Sequence, residues 1–300
     1  MQLVFDHPEP PPFADLLYFS SAYGHIQDYQ NPVIVRGQKG KNPLFWIKYE
    51  QRNSTALSLA KSPFGGFWMH QDAKKDDFRR FVDLLSDHLQ AQRLENLTLV
   101  QPPTLYKNAV PSSWIMEAGF DRIFIDQNQH LDLTSAIKYH DMQIRRLKKL
   151  EKQANVAFVE MHGEQLGQLY EFLAIARRQQ GLEINIDAAT FKKLHTVLPD
   201  HYRGFGVLYD GKIIAGLFLG YVTDQLAYYF LPGSDKTYHH LSPMVFLIDR
   251  LLIILRKQGC TTLDMGVSSI EGKLQEGLFA FKERMGAQTA SKSTFILDFD

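Results

Sequence analysis

The chain has 300 residues, of which 45% are hydrophobic and 22% charged, and its 33 basic residues balance 33 acidic ones. This composition is typical of folded globular domains and excludes a mainly disordered or collagen-like chain. Because the net charge is zero, no overall field recruits DNA, RNA or anionic lipid, and such a partner needs a local patch. The single cysteine, Cys260, excludes an intrachain disulfide and a cysteine-rich zinc site, so we predict no metal.

The chain begins MQLVFDHPEPPPF, which lacks the basic start and the apolar run of a signal peptide, and this predicts a cytoplasmic protein. The most apolar stretch runs from Pro243 to Leu255 and is interrupted by Asp249 and Arg250. It is shorter than the roughly 20 residues that cross a bilayer. We therefore predict a core helix there and no membrane span.

Local patterns recur along the chain at offsets of 165 to 167 positions. A glycine turn at Gly66 recurs at Gly233, a helix stop at Gly119 recurs at Gly286, and LQAQRLENLTLV resembles LRKQGCTTLDMG. Agreement between the offsets predicts a tandem duplication. We place the boundary near residue 132, which gives domains 1–132 and 133–300.

Residues 134–155 carry apolar side chains at helical spacing, with basic residues on the other faces, and predict an amphipathic basic helix. Arg145, Arg146, Lys148 and Lys149 would suit the phosphates of tRNA or lipid, although a solvated helix face explains the same pattern. Aromatic residues are not interleaved with these charges, which argues against a single-strand nucleic-acid platform.

Strand signals follow in the second copy. Residues 206–209, 213–221 and 225–231 are rich in β-branched and aromatic side chains, and Asp210-Gly211 is typical of a tight hairpin turn. These segments predict antiparallel strands. Tyr228 and Tyr229 are adjacent on the last of them and must point to opposite faces, so at most one lines a cleft.

The remaining elements of the second copy begin at Ser242-Pro243, where serine as N-cap and proline in the first turn predict a helix start. Gly259 marks the end of that helix. Cys260 then opens an apolar segment and is predicted to be a buried small hydrophobe. The further predictions are a central strand over 261–267, a helix over 274–284 closed by Gly286, and a final strand over 293–299.

Familiar catalytic motifs do not fit the sequence. The segment from Gly266 to Leu274 imitates a phosphate-binding loop, but its glycine spacing is too long and leucine stands where serine or threonine is needed. His162-Gly163-Glu164 starts like a deaminase signature, which one cysteine cannot complete. The helix start at Ser242-Pro243 offers free N–H groups to a phosphate, as helix starts in general do.

The second half nevertheless resembles the FemAB-like (BioF2-like) branch of the GNAT (acyl-CoA N-acyltransferase) superfamily. The resemblance rests on short segments between residues 133 and 300: Arg145-Arg146-Leu-Lys148-Lys149, Lys212-Ile-Ile-Ala215-Gly216, Leu241-Ser242-Pro243, Asp264-Met265-Gly266 after Gly259, and Gly277-Leu-Phe-Ala-Phe281-Lys282-Glu-Arg-Met-Gly286. Ser62-Pro63-Phe64-Gly65-Gly66 resembles the matching turn of the first copy. The resemblance implies an α/β fold with mixed sheets, built as a tandem duplication of two GNAT-like domains. The first domain is then degenerate, and the second carries the donor site.

The resemblance also implies transfer of an acyl group from an activated carrier, a coenzyme A thioester, to the amine of a small molecule or peptide. One alternative is a FemAB-type transferase that uses aminoacyl-tRNA and a cell-wall precursor. Another is a non-catalytic binding module with this fold. The sequence departs from the family's pattern in two ways that bear on this choice. It lacks the glycine-rich pyrophosphate loop before Ser242, and it lacks the long helical arm of some peptidoglycan-bridge enzymes.

Three residues are the catalytic candidates. Lys282 lies in the Phe-Lys segment that the resemblance singles out and could stabilise an oxyanion, although it could also be a solvated helix lysine. Asp264 sits in an apolar strand and could take a proton from the acceptor, or be structural. Tyr228 is the third catalytic candidate, chosen from the adjacent pair Tyr228 and Tyr229.

Four residues are the candidates for holding the donor. Ser242 stands at the helix start, His239 and His240 precede it, and Gly266 follows the Asp264 strand. The histidines could contact phosphate or lie in a loop without a role in binding. No DNA partner is predicted.

Overall fold

The protein is described from a computed structural model that covers residues 1–5, 16–59, 61–182 and 184–299. The prediction of a cytoplasmic protein rests mainly on residues 6–13, which lie outside the described residues. The chain forms two compact units. The first contains Met1–Asn128, Val267–Gln275 and Ala290–Asp300, and the second contains Gln129–Gly266 and Glu276–Thr289.

The elements up to residue 132 form the first copy of the repeat. In chain order they are β1 (Gln2–Phe5), a 3-10 turn (Leu17–Phe19), α1 (Ser21–Ile26), β2 (Val33–Lys39), β3 (Asn42–Arg52), β4 (Thr55–Ser58), β5 (Phe67–Met69), α2 (Lys75–Ala91), β6 (Asn96–Val100), α3 (Ser112–Glu117) and β7 (Asp121–Asp132).

The elements after residue 132 form the second copy. They are α4 (Asp141–Glu151), β8 (Val156–Met161), α5 (Glu164–Arg178), α6 (Ala188–Val197), β9 (Tyr202–Tyr209), β10 (Lys212–Thr223), β11 (Leu226–Ser234), a 3-10 helix (Lys236–Leu241), α7 (Pro243–Lys257), β12 (Thr262–Val267), β13 (Ser269–Ile270), β14 (Lys273–Leu274), α8 (Glu276–Arg284) and β15 (Gln288–Asp298).

Each unit has a mixed sheet with the same layout. The strand order is β1-β2-β3-β4-β6-β15 in the first unit, with β5 paired to β3, and β7-β12-β11-β10-β9-β8 in the second. Neighbouring strands β4 and β6 are parallel, and so are β11 and β12. The helices that precede β6 and β12 end alike, because Arg93 and Gly259 both have positive φ. The helices α3 and α8 end at Gly119 and Gly286, which also have positive φ.

The last strand of the chain, β15, does not lie in the domain to which the predicted ranges assign it. From Ala290 onward, β15 belongs to the first unit, where it pairs antiparallel with β6. Residues 129–132 of β7 belong to the second unit. Alternation of apolar and polar residues predicts a strand and its faces, but it does not specify the neighbouring strand.

Both faces of the second unit's sheet are covered by helices. The apolar side of α7 packs on one face, with Tyr229, and the apolar side of α5 packs on the other, with Phe218 and Leu231. The predicted core helix over Pro243 to Leu255 is thereby confirmed. Within the described residues, no helix is both long and apolar enough to cross a bilayer.

Several local predictions hold and others need correction. Asp210 and Gly211 both have positive φ and join β9 to β10 as predicted. The basic helix is shorter than predicted, because the His140 side chain caps α4 by accepting from the Met142 N–H at 3.2 Å. The last helix begins at Glu276, since Lys273 and Leu274 pair with residues 269–270 instead.

Candidate active site

The parallel pairing of β11 and β12 is short. Its residue pairs run from Leu226 with Thr262 to Tyr228 with Asp264, whereas β11 continues to Ser234. Leu231 has φ of 48°, so β11 turns after the pairing has ended. In the described pairing, β11 beyond Tyr228 is therefore not paired with β12, and this stretch is here named the opening between β11 and β12. The two side chains of the last pair mark its inner end.

Asp264 is enclosed at this inner end, with 1% of its surface exposed. Its Oδ1 accepts a hydrogen bond from the Gly266 N–H at 2.9 Å. Gly266 has φ of 71°, and a Cβ at this position would lie 3.1 Å from the Tyr228 hydroxyl oxygen. Glycine is thus required both by the backbone conformation and by the neighbouring tyrosine.

Lys282 reaches the same place from α8 and is 2% exposed. Its Nζ donates to the Gly266 carbonyl oxygen at 2.9 Å. Burial lowers the pKa of Lys282 to about 7, and the carboxylate of Asp264 opposes that shift by favouring the charged form. At neutral pH the ammonium and amine forms of Lys282 are therefore both populated.

Tyr228 is partly buried on β11, directly opposite Asp264. Burial raises the pKa of Tyr228, and the negative charge of Asp264 raises it further. The phenol consequently keeps its proton and remains a hydrogen-bond donor at physiological pH. The three predicted catalytic residues and Gly266 thus lie together in the second unit.

His130 is a further member of this cluster that the sequence analysis missed. Burial lowers the pKa of His130, and the charges of Asp264 and Asp132 oppose the shift. Among the described residues its enclosed Nδ1 has no hydrogen-bond partner. The available signal was the polar run from Gln127 to His130 in a strand whose next residue, Leu131, is fully buried.

The other predicted donor-binding residues lie around the start of α7. His239 and His240 belong to the 3-10 helix Lys236–Leu241 rather than a loop. The Nε2 of His239 is 3.0 Å from the Ser234 hydroxyl, and the Nδ1 of the exposed His240 is 3.1 Å from the Thr237 carbonyl oxygen. These contacts place both rings near the end of β11, apart from the hydrogen bonds that join Asp264, Gly266 and Lys282.

Ser242 stands at the N-cap position of α7, as predicted, but it does not cap the helix with its side chain. Its φ of 58° and ψ of 48° are left-handed, whereas a capping residue is typically extended, and its side chain makes no capping hydrogen bond. Pro243 does occupy the first turn, as predicted, where its missing N–H costs no helical bond. Donor binding at this helix start would therefore use backbone N–H groups rather than a Ser242 cap.

The corresponding place in the first unit is closed and uncharged. At the third pair of the β4–β6 ladder, Leu57 and Thr98 stand where Tyr228 and Asp264 stand in the second unit. Gln101 follows β6 and fills the space beside Gly66, where a Cβ would lie 2.2 Å from its Oε1. The Gln101 side chain accepts from the Phe67 N–H and donates to two carbonyls. The groups proposed to carry the chemistry thus lie in the second unit.

A cavity of about 790 Å³ lies elsewhere in the second unit, next to the residues that precede β11 and β12. Its lining includes Arg203, which is ion-paired with Glu160, as well as Asp224 and Cys260. Cys260 is buried, as predicted. None of the residues of the Lys282 cluster lines this cavity, so we do not place the chemistry there.

The basic helix α4 presents Arg145, Lys148 and Lys149 to solvent. Arg146 is partly buried and donates to the Gln143 side chain at 3.0 Å. Across the part of the chain that the structure describes, no group of three His, Cys, Asp or Glu side chains is placed to hold a metal ion.

Comparison with protein families finds a match in the second copy. Residues 141–283, somewhat less than half of the chain, match the family described as acetyltransferase (GNAT) domain. Comparison with curated protein sequences finds no match. The family match bears out the GNAT part of the resemblance stated from the sequence.

Solved structures extend the fold to the whole chain. FemX is similar over 98% of this chain and 93% of its own, with a TM-score of 0.69 and 11% identity. The C-terminal DUF2156 domain of a protein assigned as a lysylphosphatidylglycerol synthetase from Agrobacterium fabrum is similar over 94% and 88%, with a TM-score of 0.60 and 13% identity. A tandem GNAT protein from the clavulanic acid biosynthesis pathway covers 90% and 82%, with a TM-score of 0.53 and 11% identity. The predicted mixed α/β fold of two GNAT-like copies is confirmed by these likenesses, which at such identities concern the fold alone.

Proposed function

We propose that the protein is an N-acyltransferase that moves an acyl group from an activated carrier, an acyl-CoA, to an amine. The observation that carries this proposal is the enclosed Lys282, bonded to the Gly266 carbonyl beside Asp264, at the inner end of the opening between β11 and β12. A cytoplasmic location and a small-molecule or peptide acceptor are parts of the proposal. They stay predictions from the sequence.

The residues present fit an acyl-CoA in two respects. Backbone groups of β11 beyond Tyr228 offer donors and acceptors to an extended, amide-containing arm, as an unpaired strand edge does. The N–H groups of the first turn of α7 offer a site for phosphate. The run from Thr237 to Leu241 lacks glycine, so the phosphate contact would involve this helix start and the neighbouring His239 and His240.

In the proposed reaction, the chain stabilises charge that develops on the carbonyl oxygen of the donor. The Lys282 ammonium is held by Gly266 and Asp264 in a water-poor place, where a fixed positive charge acts more strongly than in water. The Tyr228 hydroxyl is a second donor at the same level of the sheet. Holding donor and acceptor together in attack geometry supplies a further part of the acceleration.

The pH dependence of transfer tests the role of Lys282. Since the pKa of Lys282 is lowered to about 7, its charged form is lost as pH rises through that value, and we expect kcat to fall on that alkaline side. The free energy of unfolding should instead rise as pH rises above 7. The unfolded chain binds this proton up to about pH 10.5, so the free energy of unfolding rises from pH 7 toward that value.

The measurement is kcat and urea unfolding between pH 6 and 9 for the natural protein and for Lys282→Met. The part of the stability rise that Lys282 causes is missing in the variant. A kcat that does not fall between pH 7 and pH 9 would contradict the assignment of the charge to Lys282.

A second candidate function is aminoacyl transfer from tRNA to a cell-wall precursor. Two observations favour it, namely the likeness to FemX over 98% of the chain and the exposed basic residues of α4. If the carrier is tRNA, affinity depends on phosphate contacts and falls steeply with salt.

We expect the combined change of Arg145, Arg146, Lys148 and Lys149 to glutamine to reduce the salt slope of tRNA binding by about 3, since each lost phosphate contact removes about 0.7 to 0.9. Fluorescence titration at several salt concentrations measures this slope. Lys192 and Lys193 are exposed on α6, and changing both to glutamine is the matched control. Salt-independent binding, or an equal effect of the control, counts against the tRNA function.

A further inference from the structure

Three neighbouring strands of the second unit each carry one polar side chain at the same level. Tyr228 on β11 pairs with Asp264 on β12. On the other side of β12, the Leu133 N–H bonds the Thr261 carbonyl at 2.8 Å and the Ser268 N–H bonds the Gln127 carbonyl at 2.7 Å.

Counted from the first bond, His130 lies opposite Asp264. The second bond is offset from this register by one residue, which indicates a bulge between the two bonds, and Gly266 has positive φ there. The charge of Asp264 acts on the His130 ring, which supports the pairing of these two side chains. Side chains directly opposite each other in adjacent strands lie on the same face of a sheet. His130, Asp264 and Tyr228 therefore form a row across β7, β12 and β11.

The surroundings of His130 leave one ring nitrogen for a ligand. The residue is partly exposed, while its Nδ1 is enclosed. Nε2 is consequently the ring atom that the amine substrate could contact. The charged groups acting on the ring are Asp264 from β12 and Asp132 from its own strand, with Lys282 from α8 beyond Asp264. The negative charge of Asp264 favours the protonated ring.

The first copy provides an internal comparison. Its third ladder pair is Leu57 with Thr98, and Thr98 pairs on its other side with Ile296 of β15. Ile296 lies 166 positions after His130, which agrees with the repeat offset. The row Tyr228–Asp264–His130 of the second unit thus corresponds to Leu57–Thr98–Ile296 in the first unit, where Gln101 fills the space beside Gly66. The polar row occurs in the unit that has the opening and not in the other.

We propose that His130 is the base that takes the proton from the acceptor's amine, with Asp264 behind it to stabilise the imidazolium. This inference rests on the proposed acyl transfer. Asp264 is itself too enclosed to meet an acceptor directly, which assigns it the supporting part.

The step balances without a further reactant. The lone pair of the amine forms the C–N bond with the donor carbonyl carbon, and the electron pair of the carbonyl moves to its oxygen beside Lys282. One N–H proton passes to Nε2 of His130. Collapse re-forms the carbonyl and breaks the bond to the carrier, and His130 returns the proton to the leaving sulfur of the thioester, or to the leaving oxygen if the carrier is an ester.

The test compares His130→Gln with the natural protein in kcat against pH, using acetyl-CoA and a primary amine. We expect kcat to fall by about 10²-fold or more, as for loss of a general base. The acid limb below pH 6.5 should disappear, and added imidazole should restore part of the rate. His25→Gln is the matched control, because His25 is exposed on α1. An unchanged rate with the acid limb intact in His130→Gln overturns the inference.

Failure of the inference and failure of the proposed function give different results. If Lys282→Met abolishes transfer and His130→Gln does not, the acyltransferase stands and His130 is not its base. If the natural protein transfers nothing, both fail. If His130→Gln misfolds, a measurement that needs no turnover still tests the inference. In Asp264→Asn, the pKa of His130 followed by NMR should fall further, and an unchanged pKa overturns the pairing of the two groups.

Discussion

Replacement of Lys282 by methionine is expected to lower kcat by about 10²- to 10³-fold and to leave the fold intact. The loss has the size measured when one group that stabilises an oxyanion is removed. The fold should survive because methionine fills a similar volume, and removing a buried ammonium also removes its desolvation cost. Steady-state transfer and thermal unfolding of the same preparation measure the two effects.

Lys273→Met is the control for this change, because Lys273 is an exposed lysine on β14. Its kcat should equal that of the natural protein. An equal loss in both variants, or a Lys282→Met protein with full activity, would contradict the part given to Lys282.

Replacement of Gln101 by leucine should reduce the free energy of unfolding by about 2–5 kcal/mol, the largest stability effect that we expect. The amide of Gln101 bonds the Phe67 N–H at 2.9 Å, the Phe67 carbonyl at 3.0 Å and the Val110 carbonyl at 2.8 Å. Leucine would remove this partner from the Phe67 N–H and the Val110 carbonyl, and each such buried group costs about 1–3 kcal/mol. The Phe67 carbonyl would still accept from the Val110 N–H at 3.0 Å. Urea unfolding monitored by tryptophan fluorescence and by circular dichroism measures the loss.

Gln168→Leu is the comparison for Gln101→Leu, since Gln168 is exposed on α5 and its replacement should change stability by less than about 0.5 kcal/mol. The natural protein and Gln101→Leu should have the same kcat at temperatures where both are folded. A loss of stability below about 1 kcal/mol would show that Gln101 is not what holds this part of the first unit together.

Local chemistry made several parts of the second copy predictable. Asp210-Gly211 predicted its turn because few residues accept positive φ at both central positions, and the apolar run after Pro243 predicted a core helix. The resemblance singled out Lys282, and its burial explains why a lysine at that place is more than a surface charge. Asp264 was recognised because a carboxylate in an apolar strand requires partners.

Other parts depend on contacts between residues far apart in the chain. His130 was missed because its importance comes from its position opposite Asp264, more than 130 positions later, and local sequence does not report strand register. The placement of β15 beside β6 was missed for the same reason. Ser242 matched the composition of an N-cap, but the preceding 3-10 helix leads the backbone into a left-handed conformation there.

The two copies differ in a way that gives the fold one site. Duplication of a module supplies two sheets with a parallel ladder, and a ladder that ends early leaves an opening. In the second copy the end of the ladder is marked by Tyr228 and Asp264, whereas the first has Leu57 and Thr98 there. The first unit is therefore expected to contribute stability and surface rather than chemistry.

A single-turnover experiment with protein in excess tests the central claim most directly. The purified protein is mixed with acetyl-CoA in one arm and aminoacyl-tRNA in the other, each with a set of primary amines, and mass spectrometry follows the carrier and any amide. We predict that one carrier loses its acyl group, that an equal amount of amide forms, and that neither happens with Lys282→Met. If both carriers stay intact with the natural protein, the claim that this site transfers acyl groups is contradicted.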